Sequence, residues 1–216
     1  MRSLSPLEAR VLAVLIEKQA TVPDTYPLSL NALVAGCNQK TARQPVIDAT
    51  EAEVLTAVDG LKGLSLLFEG SGSRVVKFEQ NMARAMQLPG QAVALLAVLM
   101  LRGPQTSAEL RLNCERLHRF ADISSVEGFL DELGAKSPPL LLKLARAPGE
   151  REARWAHLLC GEVVQPVARA AGGIGGADSV SAGEIAALKA EQTRLADELA
   201  ELKALVQRIA GELGIK

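Results

Sequence analysis

Apolar residues recur at intervals of three or four in three segments of the first half of the chain, a spacing that puts them on one face of an α-helix. The pattern predicts a helix over residues 6–19, a short helix that Ser29 caps and that ends near Asn38, and a helix over residues 51–62. Two strand-like stretches follow in SLLFEGSGSRVVKFEQ, separated by glycine and serine. The first half therefore predicts three helices followed by a β-hairpin.

The second half repeats this order. The run LLAVL at residues 95–99 resembles VLAVL at residues 11–15, which lies 84 positions earlier (95 − 11). Helices are predicted after Thr106 and Ser124, and LLLKLARAPGEREARWAHL follows as strand, turn and strand. The repeat predicts a mainly α fold with small β-hairpin wings (α+β), in which two tandem winged-helix domains occupy residues 1–88 and 89–160.

Five of the predicted helix starts share a signal, which is a serine or threonine followed three residues later by glutamate. In such a capping box the hydroxyl and the carboxylate each accept a hydrogen bond from a backbone amide that the helix leaves unpaired. The spacing predicts capped helix starts at Ser5 with Glu8, Thr50 with Glu53, Thr106 with Glu109, Ser124 with Glu127, and Ser181 with Glu184.

Two further segments are predicted after residue 160. The glycines of residues 161–183 indicate a flexible linker, and residues 184–216 carry the heptad spacing of a C-terminal coiled-coil helix. The a and d positions of these heptads form the predicted dimerisation surface: Ile185, Leu188, Gln192, Leu195, Leu199, Leu202, Val206, Ile209 and Leu213.

The charges beside this surface favour a parallel homodimer. In a parallel pair Glu184 of one copy faces Lys189 of the other, whereas an antiparallel pair brings like charges together. Gln192, at an a position, is typical of a polar residue that fixes the register of a coiled coil. The alternative is a helix that folds back onto the domains of its own chain.

Composition narrows the class of protein. The chain is 48% hydrophobic and 23% charged, as globular proteins are, and its aromatic content of 3% argues against a stacking platform for single-stranded nucleic acid. Its net charge of −1 lacks the basic excess that is usual for DNA-binding proteins. The lack of a signal-peptide run and of an 18-residue apolar stretch predicts a cytoplasmic protein with no membrane partner.

Residues that commonly carry catalysis are few. The two histidines, His118 and His157, exclude a multi-histidine metal site, and no hydrolase, P-loop or zinc-protease motif occurs. Cys37, Cys114 and Cys160 are far apart and are predicted to be free thiols of a reducing compartment. Cys114 and His118 can share a helix face, although a packed thiol is the simpler interpretation. We expect no enzymatic activity, no cofactor and no metal.

Contacts to nucleic acid or to another anion are predicted for basic residues outside the third helices: Lys40, Arg43, Arg74, Lys77, Arg146, Arg151 and Arg154. The last five lie on the predicted wings, where arginine can contact phosphate or enter a minor groove; the alternative is a solvated strand face. The third helices are poor candidates, because each has three carboxylates against one lysine, a net charge of −2 (1 − 3).

A long polar connection joins the second and third helices of the first domain. This 37–50 segment has the sequence CNQKTARQPVIDAT. Pro45 disfavours helical geometry at Gln44, so neither flanking helix can simply extend through the segment. Two interpretations remain open: an ordered loop that braces the first domain against its neighbour, or an anion site formed by Lys40 and Arg43.

Four motifs, LEARVLAVLIEKQ, YPLSLNAL, CNQKTARQPV and LARAPGEREARWAHL, occur in this order and together resemble the YceH-like family of uncharacterised bacterial proteins. The resemblance covers residues 4–161 and implies a tandem winged-helix fold in a bacterial cytosolic protein, with no established activity. Lys40, Arg43 and Pro45 match the family motif. The chain departs from it at Ala42, where the family often has asparagine, and at Gln44, where it often has an acidic residue. These departures weaken any role that needs those side chains.

Two functions from different classes fit these features. One is a dimeric protein, similar to a transcriptional regulator, that binds double-stranded DNA through its wings and the 37–50 segment. The other is a protein-interaction scaffold, similar in fold to accessory proteins of chromosome condensation, that binds a protein partner without direct DNA contact. The fold and the basic wings favour the first function, whereas the near-neutral charge and the acidic third helices favour the second.

Overall fold

A computed structural model describes residues 2–70, 75–146, 150 and 152–163 of the 216-residue chain. The predicted cap at Ser181, the predicted coiled coil with all of its heptad residues, and the wing residues Arg74 and Arg151 lie outside the described residues. The dimerisation surface and these two contact residues stay predictions.

Helices form most of the described chain, and small antiparallel sheets complete it. The first half contains α1 (Pro6–Thr21), β1 (Leu28–Ser29), α2 (Leu30–Cys37), α3 (Glu51–Gly63), β2 (Leu67–Gly70) and β3 (Lys77–Gln80), with a 3-10 turn at Pro23–Thr25. The short helix α4 (Met82–Ala85) leads to the second half, which contains α5 (Gly90–Arg102), α6 (Ser107–Asn113), α7 (Ile123–Ala135), β4 (Leu141–Lys143) and β5 (Trp155–His157). The described chain is therefore a mixed α and β structure, and each half has its three main helices and its hairpin in the predicted order.

Each hairpin has an additional pairing partner that the sequence pattern did not predict. In the first half β1 pairs with β3 through Leu28 and Phe78, which gives a three-stranded sheet in the order β1-β3-β2. In the second half Gln105 forms an antiparallel bridge with Trp155 of β5. Both extra partners lie at the start of the second helix of their half. Segments this short show no alternation of apolar and polar residues, so periodicity does not detect them.

Three of the predicted helix caps are confirmed. The hydroxyls of Ser5, Thr50 and Thr106 accept hydrogen bonds from the amides of the glutamates three residues later. The carboxylates of these glutamates accept hydrogen bonds from the amides of the capping residues in return. These local contacts fix where α1, α3 and α6 begin.

The cap predicted at Ser124 is wrong. Helix α7 begins at Ile123, two residues earlier than a cap at Ser124 predicts, and Asp122 caps it by accepting hydrogen bonds from the amide (2.7 Å) and the hydroxyl (2.6 Å) of Ser125. Aspartate caps helices about as well as serine does. Asp122 precedes Ser124 along the chain, and it sets the helix start.

Helices α1 and α5 pack against each other at the centre of the described structure. The repeated apolar runs at residues 11–15 and 95–99 are buried, and one hydrophobic cluster includes residues from both halves. Backbone hydrogen bonds also connect the halves, from the Leu4 amide to the Leu159 carbonyl (2.7 Å) and from the Gln44 amide to the Leu101 carbonyl (2.7 Å). The halves therefore share a core, while the domain boundaries stay predictions. Neither α5 nor any other helix in the described ranges combines the length and the apolar character that a membrane span needs.

The close approach of α2 to α1 yields a stability prediction. A Cβ atom at Gly36 would lie 2.6 Å from Cγ1 of Val14, whereas a Cβ atom at Gly128 in α7 would meet nothing within 4 Å. We expect Gly36→Ala to lower the free energy of unfolding by about 1–3 kcal/mol through overpacking. Gly128→Ala should raise it by about 0.5–1 kcal/mol, because alanine favours the helix. Urea denaturation measures both values, and a Gly36→Ala variant as stable as Gly128→Ala would contradict this packing.

Candidate functional site

The 37–50 segment forms a loop that is fixed at its base and touches the second half. The side-chain amide of Asn38 donates to the Ala49 carbonyl (2.9 Å), and its side-chain carbonyl accepts from the Ala49 amide (2.8 Å). The backbone bond from Gln44 to Leu101 then connects the far side of the loop to the end of α5. The segment is therefore ordered and contacts a neighbouring element, as the bracing interpretation expects.

Arg43 is buried inside this loop, with 6% of its surface exposed. Its Nη1 and Nη2 atoms donate to the two carboxylate oxygens of Glu17 in α1 (3.1 and 2.5 Å), and its Nε donates to the Gly36 carbonyl (3.2 Å). Burial acts to raise the pKa of Glu17, but the hydrogen bonds and the charge of Arg43 outweigh burial and hold this pKa below its ordinary value. This arrangement weighs against contact between Arg43 and an external anion, because each of its guanidinium nitrogens is already bound within the protein.

Arg10 in α1, which the sequence analysis did not select, is a second buried arginine at the loop. Its Nη1 donates to the Cys37 carbonyl (3.1 Å) and its Nη2 to the Pro45 carbonyl (2.6 Å). Within the described ranges no carboxylate forms an ion pair with Arg10, and its Nε has no hydrogen-bond partner. Burial, followed by repulsion from Arg43, lowers the pKa of Arg10. The sequence contains a signal for the burial of Arg10. This arginine lies three residues after Leu7 and four residues before Val14, so it shares the apolar face of α1 with them.

Three other predicted contact residues have side chains that are at least partly accessible. Lys40 in the 37–50 segment and Arg146 after β4 are exposed, and Lys77 on β3 is half-buried. These three remain candidates for contact with an external anion.

Arg154, the last predicted contact residue, is already paired. It forms ion pairs with Glu150 (3.1 Å) and Glu109 (2.8 Å), and the hydrogen bond with Glu150, followed by the charge of Glu109, raises its pKa. Arg154, Arg43 and Arg102 line a common polar cleft of about 350 Å³. The structure therefore brings two of the predicted contact residues, Arg43 and Arg154, to one cleft, with both guanidinium groups bound to carboxylates.

The third helix of each half presents an acidic outer face that includes one large apolar residue. Each face has three exposed residues at intervals of four, a spacing that aligns them along the helix. They are Glu51, Leu55 and Asp59 in α3, and Ile123, Glu127 and Asp131 in α7. Lys62 is the one basic residue within the bounds of these two helices, and it forms ion pairs with Asp59 (3.7 Å) and Glu69 (2.5 Å). Neither helix therefore offers a free basic side chain.

A cavity of about 500 Å³ lies between the start of α1, the 37–50 segment and the end of α5. Leu7, Ile47 and Met100 form part of its apolar wall, and Arg10 and His157 are its basic lining residues. The Nδ1 atom of His157 is buried and has no hydrogen-bond partner in the described part of the chain. Burial lowers the pKa of His157 to about 4, so the ring is neutral at pH 7.

The three cysteines are free thiols with different environments. Cys37 and Cys114 are buried, and burial raises the pKa of each thiol to about 12, whereas Cys160 is half-buried and lines the cavity. Cys114 donates to a backbone carbonyl of α5, and His118 packs edge-on against Phe120. Cys114 and His118 thus have separate partners.

Comparisons with known proteins identify close bacterial relatives. Residues 4–150 match the family described as "Protein of unknown function, DUF480". A UPF0502 protein of Burkholderia cenocepacia is 66% identical over 215 residues, which cover 100% of this chain and 91% of the relative. A UPF0502 protein of Burkholderia multivorans is 67% identical over 216 residues, with the same coverage of both chains. A relative from Burkholderia pseudomallei is 66% identical over 215 residues, again covering 100% of this chain and 91% of the relative.

Two substitutions within the 37–50 segment separate bracing from anion contact. Arg43→Ala leaves the carboxylate of Glu17 largely buried and without its main partner, so we expect the free energy of unfolding to fall by about 3–5 kcal/mol. Lys40→Ala, at an exposed position of the same segment, should change it by less than about 0.5 kcal/mol. Urea denaturation followed by circular dichroism measures both, and equal stability of the two variants would show that Arg43 does not brace the loop.

Proposed function

This chain belongs to the DUF480 family of uncharacterised bacterial proteins, in agreement with the resemblance noted from its motifs, and we propose that it is a tandem winged-helix scaffold that binds another protein. The binding surface is the outer face of α3 and of α7. The partner has a basic surface that includes an apolar patch. No catalytic step and no cofactor are part of this function.

Two repeated features support the tandem winged-helix plan. The order helix, helix, helix, hairpin occurs in both halves. In both halves the segment at the start of the second helix also pairs with the last strand of the hairpin. Repetition of the same pairing is what two copies of one supersecondary unit produce.

The observation that carries the scaffold function is the charge of the exposed third helices. A recognition helix that reads DNA enters the major groove, where it lies between phosphates. The exposed carboxylates of α3 and α7 oppose that position through repulsion, and Lys62 is already paired. The same carboxylates attract a basic protein surface, while Leu55, between Glu51 and Asp59, and Ile123, at the start of α7, add apolar contact area to each face.

The DNA-binding alternative is favoured by the exposed side chains of Lys40 and Arg146. It is weakened by Arg43 and Arg154, since both would have to leave a carboxylate partner in order to bind phosphate. The parallel coiled-coil homodimer predicted from the heptads is part of either function. A dimer doubles the number of acidic faces and so strengthens binding to a partner with repeated sites.

The scaffold function predicts a specific protein contact at α3. A photoreactive amino acid at Leu55, incorporated into the full-length chain in cells of its bacterium, should form a discrete covalent adduct with another protein on irradiation. The adduct should be lost when Glu51→Lys and Asp59→Lys are added, because the attraction to a basic surface is reversed. Gel electrophoresis and mass spectrometry detect the adduct.

The matched control is the same amino acid at Val22, which is exposed after the end of α1 and should give no discrete adduct. Absence of an adduct at Leu55 counts against the scaffold function, as does an adduct that nuclease removes. Binding of the purified protein to duplex DNA with a Kd below about 1 µM at 50 mM salt, weakened by a factor of about 100 or more at 200 mM, would replace it with the DNA-binding alternative.

A further inference from the structure

We propose that the cavity between α1, the 37–50 segment and α5 binds a small monocarboxylic acid with an apolar tail. The carboxylate lies against Arg10 and His157, and the tail lies on the apolar wall. This inference is independent of the scaffold function, which rests on the negative charge of the outer faces of α3 and α7.

Arg10 carries a charge that no described carboxylate balances. Only 4% of its surface is exposed, and no described carboxylate forms an ion pair with it. Arg43, buried in the same loop, is by contrast neutralised by Glu17. A buried charge without a counter-charge is strongly unfavourable, so the position of Arg10 on a cavity favours occupation by an anion.

Two nitrogen atoms in side chains that line the cavity have no hydrogen-bond partner among the described residues. Two of the three guanidinium nitrogens of Arg10 are bound to backbone carbonyls, and Nε is the one with no partner among the described residues. The Nδ1 atom of His157 is likewise buried and has no partner among the described residues. Buried polar atoms are normally hydrogen-bonded, and both of these belong to side chains that line the same cavity. A carboxylate has two acceptor oxygens, so one such group can satisfy both nitrogens when Nδ1 carries the proton and the two side chains turn these buried atoms toward the cavity.

The size and the lining of the cavity suit a small molecule with an apolar part. Its volume of about 500 Å³ lies within the range of small-molecule sites. Leu7, Ile47 and Met100 offer an apolar surface next to the charged group. A ligand with one charged end and an aliphatic body matches both parts, whereas a fully polar anion leaves the apolar wall in contact with water.

Two carboxylates at the cavity oppose the binding of an anion. Asp48 and Glu53 line it as well, and both are exposed to solvent. Glu53 is also bound to the amide and the hydroxyl of Thr50. Water and salt screen these exposed charges, so they weaken the binding of a single negative charge without preventing it. Phosphate is repelled by the same carboxylates and has no alkyl body to cover the apolar wall, which favours a monocarboxylate with an apolar tail.

The test uses octanoate as the probe and the full-length protein. Isothermal titration calorimetry should show saturable binding of octanoate, with 1-octanol binding at least about tenfold more weakly because it lacks the charge. Inorganic phosphate should show no binding at the same concentrations. His157→Leu should weaken octanoate binding by about tenfold through loss of one charge-assisted hydrogen bond, and Ile47→Trp should weaken it at least as much by filling the cavity.

His118→Leu is the matched control, since His118 packs against Phe120 and does not line the cavity. Its octanoate affinity should stay within about twofold of the wild type. Cys160 gives a second readout without any substitution, because octanoate in the cavity should slow its reaction with a thiol reagent. Cys37 and Cys114 are buried and serve as internal references in the same peptide digest.

Three results would overturn the proposal. One is the absence of saturable octanoate binding to the wild type up to about 1 mM, together with an unchanged rate of Cys160 modification. Another is equal affinity for octanoate and 1-octanol, which would remove the role of the Arg10 charge. The third is unchanged octanoate affinity in folded His157→Leu and Ile47→Trp variants, which would move the ligand to another part of the protein.

Discussion

The buried ion pair between Arg43 and Glu17 is the interaction on which the 37–50 segment depends. After Cys37, the last residue of α2, the segment contains no helix or strand, so its backbone groups need partners from elsewhere. Arg43 joins the loop to the middle of α1 and to the end of α2, and Arg10 satisfies carbonyls at two further points of the same chain segment. The two arginine side chains thereby supply hydrogen bonds that hold the loop in place, as backbone hydrogen bonds do in a sheet.

This internal use of arginine has consequences for both proposed binding surfaces. Arg43 and Arg154 are occupied by carboxylates and offer no free positive charge, whereas the third helices expose carboxylates of their own. The fixed loop in turn provides one wall of the cavity, at which Arg10 keeps an unbalanced charge. The first surface suits a basic protein and the second a small anion, so the two sites can act without competing for one ligand.

Features with a local cause were predictable from the sequence, and features with a distant cause were not. The helices and three of their caps follow from residues within one turn of each other, as at Thr50 and Glu53. The partner of Arg43 lies 26 residues away, and no pattern in the sequence connects the two. The bridge between Gln105 and Trp155 was missed for the same reason. Family motifs located the 37–50 segment, but only the three-dimensional contacts show that its arginine faces inward.

The most direct test of this account is a double-mutant cycle on the ion pair. The free energies of unfolding of Glu17→Gln, Arg43→Met, the double variant and the wild type are measured by urea denaturation. Each single variant leaves one buried polar partner unsatisfied, so the double variant should be less destabilised than the sum of the two. We expect a coupling energy of at least about 1.5 kcal/mol. A coupling energy below about 0.5 kcal/mol would contradict the structural role of the pair and return Arg43 to the candidates for an external contact.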